Sequence, residues 1–147
     1  MRVADMHCDT LSEIYYARKQ GKEAHLASNS FHVDLDKLKD GDYGIQNFAI
    51  FTNLKETEDP FKHAMELLDL FYLEMEANED RISVVKTWKD VEENWKKGRL
   101  LAMLTIEEGA VCQGSLSILR DFYRLGVRMM SLTWDHDNDL AFPNQVF

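Results

Sequence analysis

The chain has 147 residues, of which 45% are apolar and 29% charged, and a formal net charge of −9. That length and apolar content suit a globular fold with a real core and exclude a disordered chain. The acidity disfavours nucleic acid, whose phosphates need clustered Lys and Arg, and the lysines here are interleaved with Glu and Asp as on a solvated surface.

The first predicted strand is Val3 to Cys8, and it carries "MHCDT" at its end. His7 and Asp9 are two apart, so on a strand they point to the same face, and Cys8 between them points to the other. Taken alone this His-x-Asp leaves two readings open. It is a hydrogen-bonded pair capping a turn, or it is half of a metal site in which imidazole nitrogen and carboxylate oxygen reach one ion. A polar, weakly helical segment from Leu11 to Gln20 follows, with Gly21 as its stop, and residues 22 to 32 read as loop. "FHVDLDKLKDGDYG" carries a short helical turn and a bend. "GIQNFAIF", residues 44 to 51, is the second strand, with the near-continuous apolar character of a strand covered on both faces.

A helix starts at "EDPFKHAMELLDLFYLEMEAN", where Asp59 is the N-cap and Pro60 the first helical residue. Phe61, Met65, Leu68, Phe71 and Met75 recur at helical spacing and mark a core face. "ISVV", residues 82 to 85, is a short strand or extended link. In "TWKDVEENWKKG", Thr87 and Asp90 form a capping box, Trp88, Val91 and Trp95 share a face, and Gly98 ends the helix. "LLAMLTI", residues 100 to 106, is the strongest strand and ends at Glu107, Glu108 and Gly109. "SLSILRDFYRLG" is a helix with Leu116, Leu119 and Phe122 expected inward. "VRMMSLTW", residues 127 to 134, is a last strand that runs into "DHDNDLAFPNQVF", which has turn chemistry and no clear element.

Strands alternating with helices predict an α/β fold with a parallel sheet. Such sheets bind ligands at the carboxyl ends of their strands. Glu107 ends one strand and His7 and Asp9 end another, so all three are predicted to converge on one rim. Neutral His with two carboxylates suits zinc or a similar divalent ion. Cys8 and Cys112 are the only cysteines and are too far apart in sequence for a disulfide framework. Both are read as reduced, and the compartment as cytoplasmic. Cys8 reads as packed apolar surface. No signal peptide and no run of about 20 apolar residues is present, so no membrane association is expected.

"DMHCDTL", "HVDLDKLKDGDYGIQNFAIF" and "LLAMLTIEEGAVCQGSLSILRDFYRLGVRMMSLTW" occur in an order that resembles the membrane (renal) dipeptidase family of zinc peptidases over nearly the whole chain. The resemblance implies a (β/α)₈ TIM-type barrel. This chain would supply about four of its parallel strands, since the full barrel takes about 250 residues. Residues 1–147 would then be a single metallo-dipeptidase-like domain, incomplete at its C-terminus. It further implies two zinc ions per complete site, with His7 and Asp9 on one of them, Glu107 as the bridging and catalytic carboxylate, and a dipeptide as substrate attacked by a zinc-activated water. Glu108 would be a solvated or helix-capping acid.

Two departures from the family pattern stand out. The ligands of the second ion lie on later strands than this chain contains. Where many members carry a histidine after Leu-Thr, this chain has Trp134, with His136 two residues on; both are candidate substrate contacts. His25 and His32 lie in a polar loop, and His63 is expected to face solvent. The alternative function is a catalytically inactive N-terminal remnant that folds or self-associates through exposed strand edges, as a homo-oligomer or with a missing C-terminal half. Another amidohydrolase is disfavoured, because those open with His-x-His and position 9 is Asp.

Overall fold

The computed structural model describes residues 2–144. Five strands and five α-helices follow one another along it, with two helices between the first two strands and one between each later pair: β1 (Val3–Asp5), α1 (Thr10–Lys19), α2 (Leu35–Asp40), β2 (Tyr43–Phe51), α3 (Pro60–Ala77), β3 (Ile82–Val84), α4 (Trp88–Lys96), β4 (Leu100–Glu107), α5 (Leu116–Arg124) and β5 (Val127–Met130). A single 3₁₀ turn, Gly109–Cys112, lies between β4 and α5. Every strand pairing is parallel. β2 lies between β1 and β4. β3 runs beside the start of β4, at Leu100–Ala102, and β5 beside its end, at Leu104–Ile106. Among the described residues the sheet is open, with β1 on one edge. This is a parallel α/β fold that corresponds to part of a barrel.

The helix starts follow from local chemistry. The Asp59 side chain accepts the Lys62 amide ahead of Pro60, and Thr87 with Asp90 completes a capping box. Asp34 caps α2 by accepting from the Lys37 N–H at 2.8 Å, and also accepts the Asn29 N–H at 3.0 Å. The central strands alternate as the pleat requires. Phe48 and Ile50 of β2 and Leu104 and Ile106 of β4 join the core with Leu67 and Phe71 of α3 and Leu11 and Ile14 of α1. The rings of Phe48 and Phe71 lie 6.0 Å apart. The loop between α1 and α2 is tied down by Glu74 of α3, which is buried, pairs with Arg18 and accepts the Leu26 N–H at 2.7 Å.

Several expectations are corrected. β1 ends at Asp5 and β5 at Met130, so His7, Asp9 and Trp134 sit on the loops just beyond strand ends. In α5 only Phe122 is buried; Leu116 is 69% and Leu119 38% exposed. Helical spacing says which residues share a face, but not whether another element covers that face, and none of the described elements does. The shared face of α4 is likewise mostly open, with Trp88 72% exposed. Trp95 instead lies over Gly44 of β2, where a Cβ would come within 2.6 Å of the ring, and under the Arg2 guanidinium. No helix among the described residues is long and apolar enough to cross a membrane.

Candidate metal centre

The segment after β1 turns sharply into α1, and Asp9 occupies the N-cap position of that helix. An N-cap aspartate ordinarily accepts an amide of the first turn. Asp9 makes no such bond; its carboxylate faces His7, with Oδ2 3.2 Å from Nε2. The same imidazole nitrogen lies 3.3 Å from Oε2 of Glu107, the last residue of β4. The predicted convergence is therefore present, with β2 lying between the two strands that deliver it. One donor atom from each of His7, Asp9 and Glu107 lies within 4.8 Å of the other two. The His7 backbone N–H donates to Asp5 Oδ1 at 3.1 Å, which ties the loop back to the strand.

The electrostatics of this cluster suit a cation. Burial pushes the Glu107 carboxyl above its ordinary range; His7 opposes that, and the charges of Asp9, Asp135 and Glu108 add to it. A capping acid that does not cap and a half-buried carboxylate crowded by others are both costly arrangements, and a divalent ion among the three donors offsets both costs. The donor set of one imidazole and two carboxylates fits such an ion.

A cavity of about 360 Å³ opens beside the cluster, lined by Ser12, Glu13, Tyr16, Phe51 and Trp134 as well as the three donors. Of the two candidate substrate contacts, Trp134 lines this cavity, with its ring edge-on to Phe51 at 4.8 Å between centroids. His136 does not line it; it is half-buried on the same loop, and its Nε2 is buried without a hydrogen-bond partner. Ser12, Glu13, Tyr16 and Phe51 were not anticipated. A signal for the first three existed: 12, 13 and 16 are three, four and seven residues after Asp9, which places them on one helix face with it. Ser12 Oγ is buried and lacks a hydrogen-bond partner. Glu108 is not solvated. It is 1% exposed, and its side chain caps the 3₁₀ turn through the Ala110 N–H.

His63 also departs from expectation, being buried. Its Nε2 lies 3.2 Å from the Phe51 carbonyl, with Tyr15 edge-on and Tyr16 stacked on the ring. Burial holds its pKa below the ordinary 6.5. A base with a lowered pKa contributes stability that is intact above its ordinary value and is lost as pH falls from there through the folded value. The chain is therefore expected to lose stability below about pH 6.5. Urea melts at pH 7.5 and 5.5 should show a smaller loss for His63→Gln, which keeps a donor for Phe51; an equal loss would place the acid sensitivity elsewhere. His25 and His32 are exposed on their loop, as expected, and Cys8 and Cys112 are free and buried.

Comparison with known proteins bears on the family and the fold. The chain is 25% identical over 118 residues to dipeptidase verJ of Clonostachys rogersoniana, covering 73% of this chain and 30% of that protein. It is 31% identical over 103 residues to human dipeptidase 3, covering 69% of this chain and 20% of that protein. The chain thus spans less than a third of the curated relatives it matches. Its fold is similar to that of dipeptidase AC, a metallo peptidase, with a TM-score of 0.81 and 21% identity over 91% of this chain and 43% of the other. It is also similar to a metallo peptidase from Rhodobacter sphaeroides liganded with a phosphinate mimic of L-Ala-D-Ala, with a TM-score of 0.80, 19% identity, and coverage of 91% and 46%. The family model described as membrane dipeptidase (peptidase family M19) matches residues 1–144, and the chain belongs to that family.

Proposed function

We propose that this chain carries the first metal ligands of a zinc-dependent dipeptidase: His7 and Asp9 on one ion, with Glu107 shared between that ion and a second. The observation that carries the reading is the approach of His7 Nε2 to both carboxylates, at 3.2 and 3.3 Å, on the rim formed by the strands' carboxyl ends. A sharing position for Glu107 is supported by a second cavity, of about 250 Å³, which Glu107 and His7 line together with Thr105, Met129 and Ser131. In the complete site, ligands from further strands would face Glu107 from that side.

Divalent zinc supplies Lewis acidity toward a carbonyl oxygen and lowers the pKa of water. The residues of this chain do the rest. His7 has to be neutral to present Nε2 as a ligand, and the acidic side chains around it draw the ion in. Glu107 would serve as the catalytic carboxylate, a role supported by its place at the end of β4 beside His7. Phe51, Trp134 and Tyr16 wall the cavity that receives the rest of the substrate. The domain in this reading is residues 1–147 and the compartment the cytoplasm, the two free cysteines supporting the latter.

Zinc titration of the chain and of His7→Ala tests the ligand set. Loss of a residue that merely orients a ligand lowers metal affinity about 10–100-fold, so loss of His7 itself should lower it by at least about 100-fold. Equal affinity would remove His7 from the set. Dipeptide hydrolysis by the complete protein tests the reaction. The alternative, a non-catalytic unit that self-associates, is favoured by the open sheet and the exposed face of α5. It predicts concentration-dependent association of the 147-residue chain and no hydrolysis by it.

A further inference from the structure

The residue after Glu107 has a backbone conformation that favours glycine. Glu108 has φ +98°, in a region that strains a side-chain-bearing residue. Such strain persists only where the surroundings enforce it, and here they do. One carboxylate oxygen, Oε1, accepts the Ala110 N–H at 3.0 Å and an Asn138 Nδ2–H; the other, Oε2, accepts the Trp134 N–H at 2.9 Å. The Glu108 N–H donates to Ser131 Oγ at 3.1 Å. Asn138 extends the network: its Nδ2 also donates to the Leu132 carbonyl at 2.7 Å, and its Oδ1 accepts the Leu140 and Ala141 amides. The neighbouring Gly109 leaves no slack, since a Cβ there would meet the Leu132 carbonyl oxygen at 2.7 Å. The segment after β5 has no regular structure of its own, yet Glu108 ties it to the end of β4 at three places, its buried carboxylate holding Trp134 and Asn138 and its backbone N–H holding Ser131.

Trp134 is the member of that segment that reaches the cavity, where it closes against Phe51. We infer that Glu108 is a positioning residue that latches the segment after β5 across the mouth of the site, making Trp134 a wall that selects dipeptides with a large apolar or aromatic side chain. The selectivity follows from the surroundings. The walls contributed by Tyr16, Phe51 and Trp134 are aromatic, and Glu13 on the cavity and Asp135 near Glu107 are acidic, which disfavours an acidic side chain. This half of the inference rests on the dipeptidase reading; the latch does not.

The latch is tested in the 147-residue chain carrying Trp88→Phe and Trp95→Phe, so that only Trp134 fluoresces. Glu108→Ala and Asn138→Ala should each shift its emission to the red and raise acrylamide quenching toward the value of the unfolded chain. Asn138→Ala leaves the Ala110 cap in place and carries the test if Glu108→Ala does not fold. Folded variants that melt earlier but quench like the parent would overturn the latch and leave Glu108 a stability residue. In the complete, zinc-loaded protein, Asn138→Ala should raise KM for Ala-Phe about tenfold, the scale on which apolar pockets discriminate, with KM for Ala-Ala little changed. Equal rises for both would overturn the selectivity. A parent that hydrolyses neither dipeptide would overturn the dipeptidase reading and the selectivity with it, leaving the latch to be decided by fluorescence.

Discussion

If Glu107 is a zinc ligand as proposed, Glu107→Gln is expected to lower zinc affinity by at least about 100-fold, more than loss of a group that only orients a ligand. The same change should leave the metal-free chain at least as stable as the parent at pH 7. The reason is the upward shift of the Glu107 carboxyl, caused first by burial, opposed by His7, and increased by Asp9, Asp135 and Glu108. A carboxyl raised in the fold contributes stability that is intact below its ordinary value, 4.5, and is lost as pH rises through the folded value. At pH 7 the carboxyl therefore works against the metal-free fold, and an uncharged amide of the same shape does not. Isothermal titration with zinc and urea melts in the presence of a chelator measure the two halves. A variant that binds zinc as the parent does would take Glu107 out of the site. A variant that unfolds much more easily would make its carboxylate a structural group.

The largest effect on stability is expected at Glu74. Its carboxylate is nearly inaccessible, pairs with Arg18 of α1 and receives the Leu26 N–H of the loop between α1 and α2. Glu74→Ala leaves the Leu26 amide without its acceptor and the Arg18 guanidinium with the Ala24 carbonyl but no carboxylate, a change that costs about 3–5 kcal/mol when both charges are buried. Arg18 keeps a third of its side-chain surface in solvent, which places the expected loss at the lower end, about 3 kcal/mol. For a chain of this size that corresponds to a fall in Tm of about 6–12 °C. Glu74→Gln keeps an acceptor for Leu26 and should lose less. A loss for Glu74→Ala no larger than that of an ordinary surface substitution, within about 0.5 kcal/mol, would show that the loop holds without it.

Both residues show how far the one-dimensional pattern reaches. Glu107 was legible, because a carboxylate at the end of the most apolar strand and a His-x-Asp at the end of the first need only the rule that parallel strands deliver their ends to one rim. Glu74 was not, because its position on α3 falls outside the predicted apolar stripe, and nothing local announces a partner 56 residues earlier in the chain. His63 failed for the same reason. Its neighbours Tyr15 and Tyr16 belong to α1, and only the packing of α1 against α3 encloses it. Leu116 and Leu119 erred in the other direction, since an apolar stripe says what a helix would bury and not whether anything arrives to bury it.

Local chemistry alone thus determined the elements: the caps at Asp59 and Thr87, the helix stops, the succession of strands and helices, and the three donors at or just beyond strand ends. These depend on forces that act within a few residues, namely backbone hydrogen bonding, capping and side-chain periodicity. The tertiary structure decided what the donors face. It turned Asp9 away from its helix and toward His7, buried His63 against Tyr15 and Tyr16, and bent Glu108 into a strained conformation that holds the segment bearing Trp134. Those outcomes depend on contacts between segments far apart in the chain, whose free energies are settled only when the whole sheet and its helices pack together.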